Sequence, residues 1–258
     1  DISSLPNSTY KEPWNQAGTS TPADANNQAI YQKGAVSIWR DKVFESSDNS
    51  SAKVDLHVNG ATRIGATDPA VTKKVGASSF AGGNAAVASG NNAMAYGTSV
   101  EASGTNSAAF GNNSKAVGTN SLAIGDGNTA SGSASFASGQ NTTASGNQST
   151  AVGNAGKATG DGSFAGGYWN INNGSSTAAG QSSLAFGEGA NAKSDHSLAF
   201  GNAATSLGNH AVAMGIGTVA PARSSVSLGR FNINSFTSAD ITENADGDPI
   251  FQLGAGGD

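Results

Sequence analysis

Three histidines, His57, His196 and His210, are the only imidazoles in the chain, and the last two lie fourteen residues apart. Such a pair could bind a divalent metal or sense pH, because imidazole ligates borderline ions and titrates near neutrality. A metal site needs three or four ligands, and with no cysteine in the chain no thiolate can supply one. His196 and His210 therefore read first as solvated turn residues. Four segments, GDGNTA (125–130), GDGSFA (160–165), GEGANA (187–192) and GIGTVA (215–220), fit the loose G-x-G-x-x-A dinucleotide pattern. None opens a helix after a buried strand, and a repeat generates all four, so no nucleotide and no other cofactor is expected. Asp126 and Asp161 are isolated carboxylates, without the nine-residue GGxGxDxUx repeat of a calcium-binding roll. No Ser/His/Asp set stands out, so no catalytic residue is expected. The best candidates for ligand contact are Tyr168 and Trp169, since both residue types are enriched at recognition hot spots. They lie in GYWNINNGSSTAAG (167–180), which reads first as a bulged turn and second as a binding loop.

The elements that must carry these residues are unusual in composition. The 258-residue chain holds 36 glycines and 44 alanines, with 12% charged and 7% aromatic residues. An average domain has about 25% charged residues and about 7% glycine. Large apolar side chains are too few to fill an ordinary enzyme core. With 6 prolines and no Gly-X-Y triplet, collagen is excluded. The net charge of −5 gives no electrostatic reason to expect nucleic acid or an anionic membrane. No apolar run approaches the roughly 18 residues of a membrane helix, and the chain reads as a soluble piece of something longer.

Periodicity decides the architecture. From Gly76 a glycine recurs at every seventh residue as far as Gly174; one block is then a residue short, and the lattice resumes at Gly180. Residues 77–229 divide in this way into 22 blocks, of which 20 end in glycine; Ser194 and Ala222 are the exceptions. Alanine stands two residues before the block end in 19 of the 22, with Asn172, Ser206 and Ser227 departing. A heptad coiled coil is excluded, because glycine at that frequency would cost about 1 kcal/mol each in a helix and no a/d seam exists. Each block reads instead as a strand followed by a turn, as in TNSLAIG (119–125), where Leu122, Ala123 and Ile124 alternate large, small, large.

A weaker period of fourteen overlays the first. The fourth residue of alternate blocks is Met94, Ala108, Leu122 or Phe136, whereas the blocks between carry Glu101, Lys115, Thr129 and Thr143. Two blocks thus form one coil of a solenoid, with one strand apolar outside and the other polar. Eleven coils stacked by parallel pairing at about 4.8 Å would span about 50 Å. So small a coil has almost no lumen, and alanine must face inward. An apolar stripe is left outside, formed by Met94, Tyr96, Phe110, Leu122, Ile124, Phe136, Phe164, Leu184, Phe186, Leu198, Phe200, Val212 and Met214. A soluble monomer does not expose so much contiguous apolar surface, and the stripe is expected to be buried against copies of itself about a closed symmetry axis.

The blocks TNSLAIG (119–125), QSSLAFG (181–187), DHSLAFG (195–201) and NHAVAMG (209–215) resemble the NSVAIG-type repeats of YadA-like trimeric autotransporter adhesin heads. NNSKAVG (112–118) and NAGKATG (154–160) are similar to the second half-repeat of that family, and the resemblance covers about 150 residues. It implies an all-β fold, a left-handed parallel β-roll with two seven-residue blocks per coil, assembled as a homotrimer. It also implies an extracellular, non-enzymatic head on the bacterial surface that contacts a host or environmental protein or glycan. Membrane attachment would reside in other parts of an outer-membrane-anchored parent, since no heptad stalk or anchor strands stand in this chain.

The expected organisation is a β-rich flank at 1–74, head repeats at 75–229 and a connector at 230–258. The flank contains IYQKGAVSI (30–38) and VDLHVNGATRIG (54–65), with strand-like alternation similar to amino-terminal segments of Bacteroidetes-type secreted and fibre-like proteins. Trp14 and Trp39 are expected to pack this flank against the trimer, and DPIFQLGAGGD (248–258) to begin another strand. Two other functions fit less well. One is a trimeric receptor-binding fibre of a phage tail or injection system. The other is an ice-binding solenoid, whose threonine ladder at Thr129 and Thr143 is interrupted by Lys115 and Lys157.

Overall fold

The computed structural model describes residues 15–16, 30–31, 62–64, 75–168, 174–232 and 251–255. Trp14, Trp39, His57 and Trp169 lie outside them. The chain divides into two compact units, residues 1–57 and 58–258. In the first, Asn15–Gln16 pairs antiparallel with Ile30–Tyr31.

The second unit is the expected all-β parallel solenoid, and no helix occurs among the described residues. A coil consists of a longer strand such as Leu122–Asp126, a turn, a short strand such as Thr129–Ala130, and a second turn. Longer strands stack in a thirteen-stranded parallel sheet, and short ones in a ten-stranded parallel sheet. Register follows the fourteen-residue period, with Leu122 beside Phe136, Ala123 beside Ala137 and Gly125 beside Gly139. The larger sheet also reaches beyond the periodic segment at both ends: Thr62–Ile64 pairs with Phe80–Gly82, and Phe251–Ala255 with Val226–Arg230. The strand expected near the carboxyl end is therefore present.

Alanine fills the lumen. Ala123 and Ala137 from one sheet and Ala130 and Ala144 from the other are all fully buried, as are the two serines that replace alanine, Ser206 and Ser227. A second inward column, at the third position of each block, escaped the sequence reading. Before the longer strands it is mostly serine, and six of these hydroxyls donate to the carbonyl three residues back, as from Ser121 Oγ to Gly118 O at 2.6 Å, whereas those of Ser135 and Ser163 are buried without a partner. In the alternate blocks the same column holds Val100, Asn128, Thr142 and Thr218, all buried. Buried polar atoms are costly unless bonded, and Asn128 is fully used. Its Nδ2 donates to Ile124 O and Gly139 O, both at 2.7 Å, while its Oδ1 accepts from Thr142.

Block-end glycines do two different jobs. Gly125, at the end of a longer strand, has φ of 123°, a region that L side chains disfavour. Gly118 ends a short strand without positive φ, yet a Cβ there would lie 1.9 Å from the carbonyl oxygen of Gly132 in the next coil. Close stacking of backbones, rather than turn conformation, favours glycine in that column, where Ser194 and Ala222 are the two departures.

The break in the lattice is of a different kind from the one-residue deletion that the sequence suggests. Phe164 pairs with Leu184 and Lys157 with Thr177, a step of twenty residues instead of fourteen. Residues 174–180 are a complete block, with Ser176 and Ala178 buried in the usual columns and Gly180 at its end. Residues 168–173 are accordingly a six-residue insertion, and Asn172 belongs to no block. Gly174 falls on the seven-residue lattice by position while opening the next block.

Candidate adhesive surface

Alternation around the buried alanines turns the fourth and sixth residues of the blocks away from the lumen, where only a few, Val87, Gly82 and Gly166 among them, are covered. On the larger sheet this creates the apolar stripe, with Tyr96 59%, Phe200 46%, Met94 43%, Phe186 42%, Met214 41% and Ile124 38% exposed. Phe110, Leu122, Phe136, Phe164, Leu184, Leu198 and Val212 are half-buried between them. The sequence placed all thirteen residues on one outer face, and the strand register brings them together there.

In four coils of this sheet side-chain size is compensated. Where the fourth residue is phenylalanine, the sixth is small: Phe80 with Gly82, Phe136 with Ser138, Phe164 with Gly166. Ala108 with Phe110 is the reverse arrangement. A Cβ on Gly166 would meet Phe186 Cδ2 at 2.9 Å and Phe164 Cε1 at 3.0 Å, so the rings close over the glycine. Phe164, Phe186 and Phe200 form a stacked run, with centroid separations of 6.5 and 5.4 Å. Elsewhere both outward positions are large, as in Met94 with Tyr96, Leu184 with Phe186 and Leu198 with Phe200.

The opposite sheet presents a polar face, with Lys115 and Lys157 exposed and Thr129 and Thr143 half-buried. At the corner after Gly167, Tyr168 is 66% exposed and begins the insertion. Its proposed companion Trp169 lies outside the described residues.

His196 and His210 stack as their spacing predicts, with ring centroids 4.9 Å apart and planes within 9°. Both occupy the second position of a block and have φ of 57° and 60°. That left-handed corner recurs throughout the solenoid, often as asparagine, and Asn92, Asn106 and Asn120 form an amide ladder with bonds of 3.1 Å. Gly127, Gly162, Gly189 and Gly217 also hold the second position of their blocks with positive φ, Gly162 before a longer strand and the other three before short ones, and each supplies the second glycine of one G-x-G-x-x-A segment. Those segments are corners of the solenoid.

The carboxylates are structural. Asp161 Oδ1 accepts from the Asn147 N–H at 2.7 Å, Asp195 Oδ1 from the Gln181 N–H at 2.8 Å, and Asp126 Oδ1 from Asn112 Nδ2 at 2.9 Å. Each bond joins a corner or strand end to the corresponding position of a neighbouring coil. Among the described residues no group of three His, Cys, Asp or Glu side chains could hold a metal ion.

The family model for the YadA head domain repeat matches residues 102–128, 130–155, 178–204 and 206–232. No curated protein matches the chain. The matched stretches stop at 155 and resume at 178, on either side of the insertion at 168–173 that breaks the fourteen-residue step. Repeat, register and buried alanine columns agree with this match, and residues 102–232 of the chain are a YadA-like head.

Proposed function

We propose that the chain is the head of a homotrimeric adhesin on the bacterial surface, a non-enzymatic spacing and binding element. The observation that carries this reading is the exposed apolar stripe on the larger sheet. Burying Tyr96, Phe200 and Met94 against neighbouring copies removes surface that a soluble protein does not leave open. Cyclic symmetry closes the contact, and family membership supports three as the number of copies. The polar sheet and the corner at Tyr168 then face outward, towards a host or environmental surface. Outer-membrane attachment belongs to a parent protein of which this head is a part.

Light scattering on the purified chain tests the assembly. The expected mass is three times 25.3 kDa, and a monomer at micromolar concentration would overturn the reading. Beads coated with the assembled chain should adhere to host-cell or matrix-coated surfaces more than uncoated beads do. Equal adhesion of the two would remove the adhesive role while leaving the trimer intact.

A further inference from the structure

The outward face of the ten-stranded sheet carries a charge pattern that the net charge of the chain conceals. Among residues 75–168 and 174–232, five acidic side chains balance five basic ones. Lys115, Lys157 and Lys193 all project from this one face, and all three are exposed. Among the outward positions from Lys115 to Lys193 there is no acidic residue. Asp126, at the end of a longer strand, and Asp161 and Asp195, in turns, instead bond neighbouring coils off this face. Glu101, the register partner of Lys115, is the one anion of the face and stands on its second strand from the end. Between the lysines run hydroxyls, including Thr129, Ser131, Thr143, Ser145 and Thr159, and no aromatic residue occupies an outward position of this sheet.

We propose that this face binds an extended acidic polysaccharide that carries about one carboxylate or sulfate per disaccharide. The inference deepens the adhesin reading and rests on it. Lys115 and Lys157 are three coil steps apart and Lys193 follows after two more. At about 4.8 Å per step, the charges recur at about 10–14 Å along the coil axis. That spacing suits a linear polymer charged at every second sugar ring, and the intervening threonine and serine hydroxyls suit its uncharged rings. Nucleic acid fits poorly. A duplex carries a charge about every 1.7 Å, and single strands are held by stacking on aromatic side chains, which this face lacks.

Retention of the full chain on immobilised hyaluronan at low salt, with neutral dextran and single-stranded poly(dT) as comparison probes, tests the assignment. Hyaluronan should retain the chain, dextran should not, and retention should fall as salt rises. The variant K115S/K157S/K193S should bind at least about tenfold more weakly while keeping the parent's circular dichroism and melting temperature, because all three positions are exposed. K115R/K157R/K193R should retain binding. The proposal is overturned if the parent does not bind hyaluronan, if the serine variant binds as well as the parent, or if poly(dT) binds as tightly with the same lysine dependence. Adhesion of coated beads without affinity for hyaluronan would sink this assignment alone, whereas loss of all adhesion would sink the adhesin reading beneath it.

Discussion

Asn128 holds Thr142 by two bonds at once: its Oδ1 accepts from the backbone N–H and from the hydroxyl of Thr142, each at 2.8 Å. Both residues are fully buried in the lumen, one coil apart. Because Nδ2 is also bonded twice, one amide ties its own coil to the next through all of its polar capacity.

Removing that amide should be felt more than its volume suggests. Asn128→Ala removes the acceptor shared by the backbone N–H and the hydroxyl of Thr142, and a buried unsatisfied group costs about 1–3 kcal/mol. The expected result is a clear drop in melting temperature with assembly retained at low temperature. Thr142→Val in the same background should restore part of the loss, and a double-mutant cycle on thermal melts would read the coupling.

The two outer faces should respond oppositely to charge. Leu122→Asp puts an unpaired carboxylate into the proposed subunit contact and should impair trimer formation, since a charge buried without a partner is strongly unfavourable. Thr129→Asp, on the other sheet, should leave the mass unchanged. Light scattering at matched concentration distinguishes them, and equal behaviour would refute the assignment of faces.

Enlarging the lumen residue should cost more than trimming its outward neighbour. Ala123 is fully buried opposite a second alanine column, and overpacking a tight core costs about 1–3 kcal/mol. Strain there also reaches adjacent coils, because a solenoid is held together by nearest-neighbour contacts. Ala123→Leu should therefore melt below Leu122→Ala, reversing the usual order in which large-to-small changes are worst. Thermal melts at equal trimer concentration decide the ranking.

One substitution should stabilise. Ala134 adopts φ of 55° directly after Asn120 in the corner column where Asn92, Asn106 and Asn120 form their ladder. Asparagine tolerates the left-handed region better than alanine does, and Ala134→Asn would offer Asn120 Nδ2 a further acceptor. A gain of about 0.5–1 kcal/mol per chain is expected, read as a higher melting temperature; a lower one would show that the ladder ends at Asn120 for a packing reason.

The coil, its two faces and the stacked histidines were legible because each rests on a residue type that repeats in place. Ala123, Ala137 and Ala151 announce an inward column by identity alone. Asn128, Thr142, Gly156 and Ala190 fill the third-position column of the short-strand blocks, but share only small or self-satisfying side chains, so no repeated letter marks them. Gly174 hid the insertion because its position satisfied the lattice while its structural role had changed. The separation of Lys115, Lys157 and Lys193 from the carboxylates depends on which residues share a face, and composition averages that away.

The six added residues at 168–173 leave both ladders in register on either side: Phe164 still meets Leu184, and Lys157 still meets Thr177. Reach and displayed content are consequently independent variables in this architecture. The number of seven-residue blocks sets how far the head extends. A corner can accept extra residues without altering that count, since lengthening a loop adds little closure entropy. A new surface epitope can thus be acquired at the corner after Gly167 without redesign of a single alanine in the lumen.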